Sequence, residues 1–425
     1  MLKNLRFDAR DLFQSFLAAD FGVKMVVLYI VFSYLRPQAI YPALDLLPWT
    51  QITIVGGLCF VALNYKVKIN SAVYLTIVFS VICVISAYTS DYQDYSTTRL
   101  NIIFTWVIEI IFFVSCITQK EDLKLVIVTM FIALFKISLF GARTWIERGF
   151  GFRDYGIAGP PGFFTNSGEL SLLMAMFFLW STSYLTSGSK QWLYWVLPIT
   201  AFMTVLAASS RGSQLALLVG TVWLFIRSGK LNIRSLIVFC IMLFAAYYFL
   251  PDKQKDRFSS SGDDNTSQSR VLYWEKGYDM AINHPYFGIG YYSFPLYFHD
   301  HYAEYLPPGK SWAQRKEVAH NSFIEVLSTM GFVGLTSYLL LLYLIYRQSK
   351  KSRTIYRNLS NSKDVELFSL GLEASLVCYL IGSTFMSVAF YPYVYLMLML
   401  SSSLLDIAMS ESLAAESHGS EGDSL

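Results

Sequence analysis

Residues 319–335 read "AHNSFIEVLSTMGFVGL". A polar pair, His320 and Asn321, stands before Phe323, Ile324, Leu327, Met330 and Gly331, which follow the i, i+3, i+4 spacing of one helix face. Upstream lies the longest hydrophilic stretch of the chain. Downstream, an apolar run near 328–346 has about the 20 residues that cross a bilayer core. The stretch therefore marks a boundary between water and membrane, with a histidine at the mouth of a helix that Asn321 is placed to cap.

Working outward, similar runs recur along all 425 residues. They lie near 22–36, 46–64, 70–88, 100–118, 123–141, 167–186, 191–208, 212–228, 232–250, 328–346, 365–386 and 390–408. Only 15% of the chain is charged, 54% is hydrophobic and 17% aromatic, whereas a soluble domain carries about 25% charge. The mean hydropathy is +0.44. The fold class is an all-α polytopic membrane protein of about twelve transmembrane helices. The first run ends at "RPQ", where Pro37 disfavours helix at Arg36. No apolar segment precedes Val23, so no cleaved signal peptide is expected. Five cysteines, Cys59, Cys83, Cys116, Cys240 and Cys378, all sit in apolar runs without metal-ligand or CxxC spacing, as small buried hydrophobes do.

The basic residues set an orientation. Lys66, Lys68, Lys120, Lys124, Lys190, Arg227, Lys230 and Arg234 join the cluster from Arg347 to Lys363 on one side of a twelve-span chain. The positive-inside rule makes that side cytoplasmic, with both termini on it. The expected organisation is an N-terminal tail over 1–21, nine spans over 22–250, a periplasmic loop over 251–327, three spans over 328–408 and a disordered cytoplasmic tail over 409–425. Within the loop, Val271, Trp274, Tyr278 and Ile282 have helical spacing, Ser267 or Ser269 can cap, and Pro285 ends the pattern. A lateral helix resting on the membrane surface fits.

Three stretches carry chemistry. "GARTWIERGFGFRDYGIAGPPGFFTN", residues 141–166, holds Arg143, Arg148 and Arg153 on the side where basic residues are disfavoured. Guanidinium forks suit phosphate oxygens, though pairing with Glu147 or Asp154 is the structural alternative. "AASSRGSQLALLVG", residues 207–220, isolates Arg211 between two apolar runs among small residues, where a charge is expensive. The N-terminus of the helix that follows faces the same space and favours an anion. His320 is the third: a residue able to be neutral near pH 7 and to accept a proton. His284 is a weaker supporting residue, and His299 with His301 lacks further metal ligands. No P-loop, no GxGxxG after a strand, no serine-hydrolase signature and no basic-aromatic face for nucleic acid appears.

Together, "SSRG" at 209–212, "NHPYFGIGYYSF" at 283–294 and "HNSFIEVLSTMGFVGL" at 320–335 resemble the O-antigen ligase/polymerase superfamily of bacterial envelope proteins. The resemblance is best over about 160–385 and includes "YLRPQ" at the end of the first run. It implies a GT-C-like, metal-independent glycosyltransferase without cofactor, at the periplasmic face of the inner membrane. Such an enzyme takes a glycan from an undecaprenyl-diphosphate carrier to an acceptor hydroxyl. The acceptor is the lipid A core in ligases, another repeat unit in polymerases, or a protein in O-oligosaccharyltransferases. Carried onto this chain, Arg211 and His320 are the catalytic pair, with His320 as base. Arg143, Arg153 and Arg148 are then expected on the diphosphate, supported by Asn321 and His284. From another class, a transporter would place ionisable residues near the midplane. Here the midspan charges are few, Glu109, Lys136, Glu169 and Glu373, and the polar residues crowd one face instead.

Overall fold

A computed structural model describes residues 9–64, 66–151, 156–160, 162–185, 195–229, 265–306, 316–359 and 363–422. Among them every regular element is helical. A short helix α1 (Ala9–Ala18) leads into α2 (Phe21–Ile30). The chain then widens into a π-helical turn over Val31–Leu35. Pro37 forbids a helical Arg36, which takes the left-handed conformation (φ 51°) and ends the run. Next come α3 (Trp49–Leu63), α4 (Ser71–Tyr88), α5 (Gln93–Thr98), α6 (Leu100–Cys116) and α7 (Lys120–Glu147). Asn70 caps α4 by accepting from the backbone of Ala72 and Val73, and Gln119 with Asp122 closes a capping box on α7.

The second half holds α8 (Ser167–Leu185), α9 (Val196–Ala207), α10 (Arg211–Arg227), α11 (Asn265–Asn283), α12 (Phe294–Tyr302), α13 (Ser322–Asn358), α14 (Lys363–Gly382) and α15 (Pro392–Gly422). α14 packs between α8, α10 and α13, and α13 also packs on α4, α11 and α15. Six helices among the described residues are long and apolar enough to cross a membrane, against the twelve expected. The runs near 46–64 and 191–208 correspond to the shorter α3 and α9, and the run near 232–250 lies outside the described residues. So does Cys240; Cys83, Cys116 and Cys378 are buried, whereas Cys59 is exposed. The segment expected as a disordered tail, 409–425, continues α15 as far as Gly422, and the 1–21 tail contains α1.

Among the described residues, two charged groups inside the bundle have close partners. Glu373 meets Arg353 at 2.9 Å and Arg227 at 3.8 Å, near the end of α10 opposite Arg211. The length of α10, about 25 Å at 1.5 Å per residue, separates those two ends. Lys136 donates to the carbonyl of Leu35, capping the π turn.

The decisive irregularity lies within α13. Gly331 (φ 66°, ψ −168°) breaks the helix in a backbone region essentially reserved for glycine. Carbonyls freed there are taken up by the "HPYFGIG" loop. Ile289 N–H donates to Ser328 O at 3.0 Å and Gly290 N–H to Thr329 O at 3.1 Å. In return Phe332 N–H donates to Pro285 O at 2.8 Å. The backbones approach so closely that a Cβ on Gly331 would lie 2.4 Å from Tyr286 O, and one on Gly288 2.3 Å from the Thr329 carbonyl carbon. Gly331, read from the sequence as part of one continuous helix face, instead makes a break that a loop fills.

Behind the break, α11 and α12 form a smaller core of Tyr273, Met280, Ile289, Phe294, Tyr297 and Phe298. α11 docks on α13 through Gly277, where a Cβ would meet Ile324 at 2.4 Å. The face expected from Val271, Tyr278 and Ile282 is turned outward, each more than half exposed. The inward face uses Tyr273, Gly277, Met280 and Ala281, one step round the helix. Gly331→Ala combines backbone strain of about 1–3 kcal/mol with overpacking of about 1–3 kcal/mol. It is expected to lower the thermal unfolding midpoint in detergent clearly. An unchanged midpoint would show that the break is not a constraint on the fold.

Candidate functional site

A cavity of about 540 Å³ opens where the ends of α8, α10, α13 and α14 meet. Arg211 and His320, more than a hundred positions apart in sequence, both line it. Arg211 opens α10. Ser210 caps that helix by accepting from Ser213 N–H at 3.5 Å, and Ser213 Oγ reaches the Gly168 carbonyl at 3.2 Å. The turn before Arg211 is fastened to the glycine-rich loop. Ile157 N–H donates to Ala207 O at 3.3 Å, and a Cβ on Gly156 would lie 1.9 Å from Ala208 O. Asn166 caps the neighbouring α8 by accepting from Gly168 N–H at 2.8 Å. The N-termini of α8 and α10 thus both end at the cavity, and their amide dipoles favour negative charge there.

His320 sits at the start of α13 with φ 51°, a left-handed conformation that a non-glycine residue rarely holds. The surroundings impose it. Asn321 caps α13 by accepting from Phe323 and Ile324 at 2.9 and 3.2 Å. Trp274 Nε1 donates to Ala319 O at 3.1 Å. Ser322 binds the α14–α15 turn from both sides: its N–H donates to Ser383 O at 2.8 Å and its Oγ to Met386 O at 2.7 Å. Ser209 and Tyr292, with φ of 54° and 64°, also line the cavity, so three of its residues hold such strain. Residues held this way cluster at functional sites.

The imidazole Nε2 lies 3.6 Å from a carboxylate oxygen of Glu317. Beside it, burial and then the Glu317 charge push the Tyr273 phenol up to about 12. Arg270 of α11 is a second guanidinium at the cavity. Glu169 and Glu325 complete its charged lining; Glu325 is only 3% exposed, and its Oε2 has no hydrogen-bond partner among the described residues. The far wall is the turn between α14 and α15, with Phe385, Ser387, Phe390 and Tyr391.

The structure does not bring the other expected arginines here. Arg143 is exposed and pairs at 2.7 Å with Glu147, one turn along α7, the alternative that the sequence left open. Arg148 ends that helix away from the cavity, and Arg153 lies outside the described residues. His284 sits behind the cavity with its ring 3.4 Å from the Tyr297 hydroxyl. His299 pairs with Asp300 and His301 with the Tyr297 carbonyl. Ser267 and Ser269, expected as caps, lie inside α11, which begins at Asn265. Arg270 is missing from the sequence expectations, although an arginine beside Ser269 is as much against the charge bias as Arg143. The aromatic turn over 385–391 has no local signal, because it becomes a wall only when α14 and α15 are packed.

Two arginines, two helix N-termini and a histidine around one cavity suit a dianionic group beside a proton acceptor. Purified protein should bind inorganic pyrophosphate in calorimetry. Losing a charged hydrogen bond costs about 1.5–3 kcal/mol, so Arg211→Ala or Arg270→Ala should weaken binding at least about tenfold. Arg143→Ala should leave it unchanged. The reverse ranking would move the anion site to the 141–151 segment.

The O-antigen ligase family model matches residues 196–339. The matched stretch begins with α9, ends beyond the break in α13, and contains Arg211, Arg270, His320 and the 285–290 loop. No curated protein matches the chain. With its apolar helices and this match, the chain is a multi-pass membrane protein that over residues 196–339 is similar to the O-antigen ligase family.

Proposed function

We propose that the protein transfers a glycan from an undecaprenyl-diphosphate carrier to an acceptor hydroxyl, as an inverting glycosyltransferase at the periplasmic face of the inner membrane. The convergence of Arg211, Arg270 and His320 on one cavity carries this reading. Both termini are then cytoplasmic, and the Arg227–Glu373–Arg353 cluster lies toward the cytoplasmic side, as the bias of basic residues favours.

In the proposed step the acceptor oxygen bonds to the anomeric carbon as the bond from that carbon to the diphosphate oxygen breaks. The acceptor proton passes to a neutral His320. Charge develops on the leaving diphosphate, where Arg211, Arg270 and the first amides of α10 supply preorganised stabilisation. Glu317, 3.6 Å from the ring, steadies the imidazolium that results. Attack from the face opposite the leaving group inverts the centre. Arg143 and Arg148, away from the cavity, have no part in this step, and Arg270 takes the place first expected for them.

A transfer assay in lipid nanodiscs with lipid-linked oligosaccharide tests the step. General-base help is worth about 10²–10⁴-fold, and His320→Ala should lose that much rate while unfolding at the wild-type temperature. Arg211→Lys should be impaired too, because an ammonium cannot reproduce the guanidinium fork. Near-normal transfer by His320→Ala would sink the assignment. The acceptor is read from a deletion strain: accumulated lipid-linked polymer means a ligase, accumulated single repeat units a polymerase, and loss of glycan from proteins an O-oligosaccharyltransferase.

A further inference from the structure

The "YLRPQ" motif plays no part in the cavity that holds Arg211 and His320, yet it borders a second one, of about 430 Å³, lined by α2, α6, Pro160 and Gly162 to Phe164. That volume falls within the range of small-molecule sites, about 300–1,000 Å³. We infer that this second cavity is a saccharide subsite that holds a sugar ring of the glycan substrates. The inference deepens the proposed transfer and rests on that reading for the identity of its ligand.

The lining combines flat aromatic surface with planar polar groups. Trp106 is held rigidly: its indole stacks on Tyr395 at 4.9 Å and 5°, and Nε1 donates to the Phe390 carbonyl at 2.9 Å. Phe163 leans against it at 5.6 Å. Phe32, stacked on Trp49 at 4.9 Å, also lines the cavity. Arg36, Gln38, Asn101, Thr105 and Glu109 share the lining. Gln38 donates its Nε2 to the Phe32 carbonyl at 2.8 Å, while its Oε1 is buried with no partner among the described residues. Glu109 is only 4% exposed.

This set discriminates among ligand classes. A lipid tail would leave Gln38 Oε1 and Glu109 facing hydrocarbon, which is costly for buried polar groups. An inorganic anion would meet the Glu109 carboxyl and the aromatic faces, both unfavourable to it. A pyranose presents C–H faces to rings and a rim of hydroxyls that both donate and accept, which amides, a carboxyl and a guanidinium can satisfy together.

The position also fits. Phe163 packs at 5.2 Å on Tyr391, which lines the first cavity, so a single aromatic layer separates the two. The chain passes from the Phe163–Phe164 wall of one cavity to Asn166 and Glu169 at the other. Arg36 is fixed by its left-handed backbone, and Gly162 closes over it, a Cβ there lying 3.4 Å from Nη1. On this inference a sugar of the glycan lies here while its reacting end lies beside His320.

The test uses full-length protein in lipid nanodiscs. The probe is the oligosaccharide pool released by mild acid from the lipid-linked glycans of the source cells. Saturation-transfer NMR should detect binding. Asn101→Ala, at an exposed position, and Gln38→Ala should each weaken it about five- to tenfold, as expected for one lost hydrogen bond. His320→Ala should bind as wild type, so a failure of the proposed chemistry leaves this arm readable. In transfer assays the two cavity variants should raise KM with kcat nearly unchanged. A rise for the lipid-linked donor assigns the subsite to the donor glycan, and a rise for the acceptor assigns it to the acceptor. Absence of saccharide binding, or equal binding by wild type, Asn101→Ala and Gln38→Ala, overturns the inference.

Discussion

The backbone exchange at Gly331 is the constraint on which the rest of this structure depends. A helix through the membrane region cannot simply stop hydrogen bonding, because an orphaned buried amide or carbonyl costs several kcal/mol there. α13 breaks only because residues 285–290 fill the break, and those residues can enter only because Gly288 and Gly331 carry no Cβ. The exchange ties α11 and α12 to the bundle. It also sets the direction of the first turns of α13, and with them His320, Asn321, Ser322 and Glu325.

The site is built from ends. Arg211 begins α10, Gly168 lies in the first turn of α8, His320 precedes α13, and the Phe385–Tyr391 turn joins α14 to α15. Helix ends supply free amides and short, strained turns, which the middles of spanning helices cannot. The opposite charges are kept at the far end of α10, where Glu373 sits between two arginines. Much of the polar chemistry thereby gathers at helix ends, while Glu109 and Glu373 stand within the helices α6 and α14. The two cavities share one aromatic layer, so contacts at Trp106, Phe163 and Tyr391 shape both at once.

Much of this was legible before any coordinates. Hydropathy marks the helices because a bilayer demands apolar length, and the stop at Arg36 follows from Pro37 alone. Arg211 and His320 stand out because a charge or an imidazole at such a boundary has a cost that packing does not explain. Asn321 is readable as a cap because capping is local. The inward face of α11 is different. Val271, Tyr278 and Ile282 have the right spacing, but near a membrane exposed apolar residues are cheap, so spacing does not say which stripe is buried. Arg143 likewise looks like an anion ligand until its side chain is seen to close on Glu147, four residues on.

By itself the sequence determined that the chain is helical and membrane-spanning and where several helices begin, and it singled out Arg211 and His320 as candidates. These follow from the solvent each residue can tolerate and from bonds within one turn of helix. Only the tertiary structure decided that Arg211 and His320 face one cavity, that Arg270 rather than Arg143 lines it with them, and that Gly331 marks a break. Each of those depends on contacts between segments tens to hundreds of residues apart. Such contacts are set by side-chain shape and backbone satisfaction in the packed bundle, which no periodicity along the chain records.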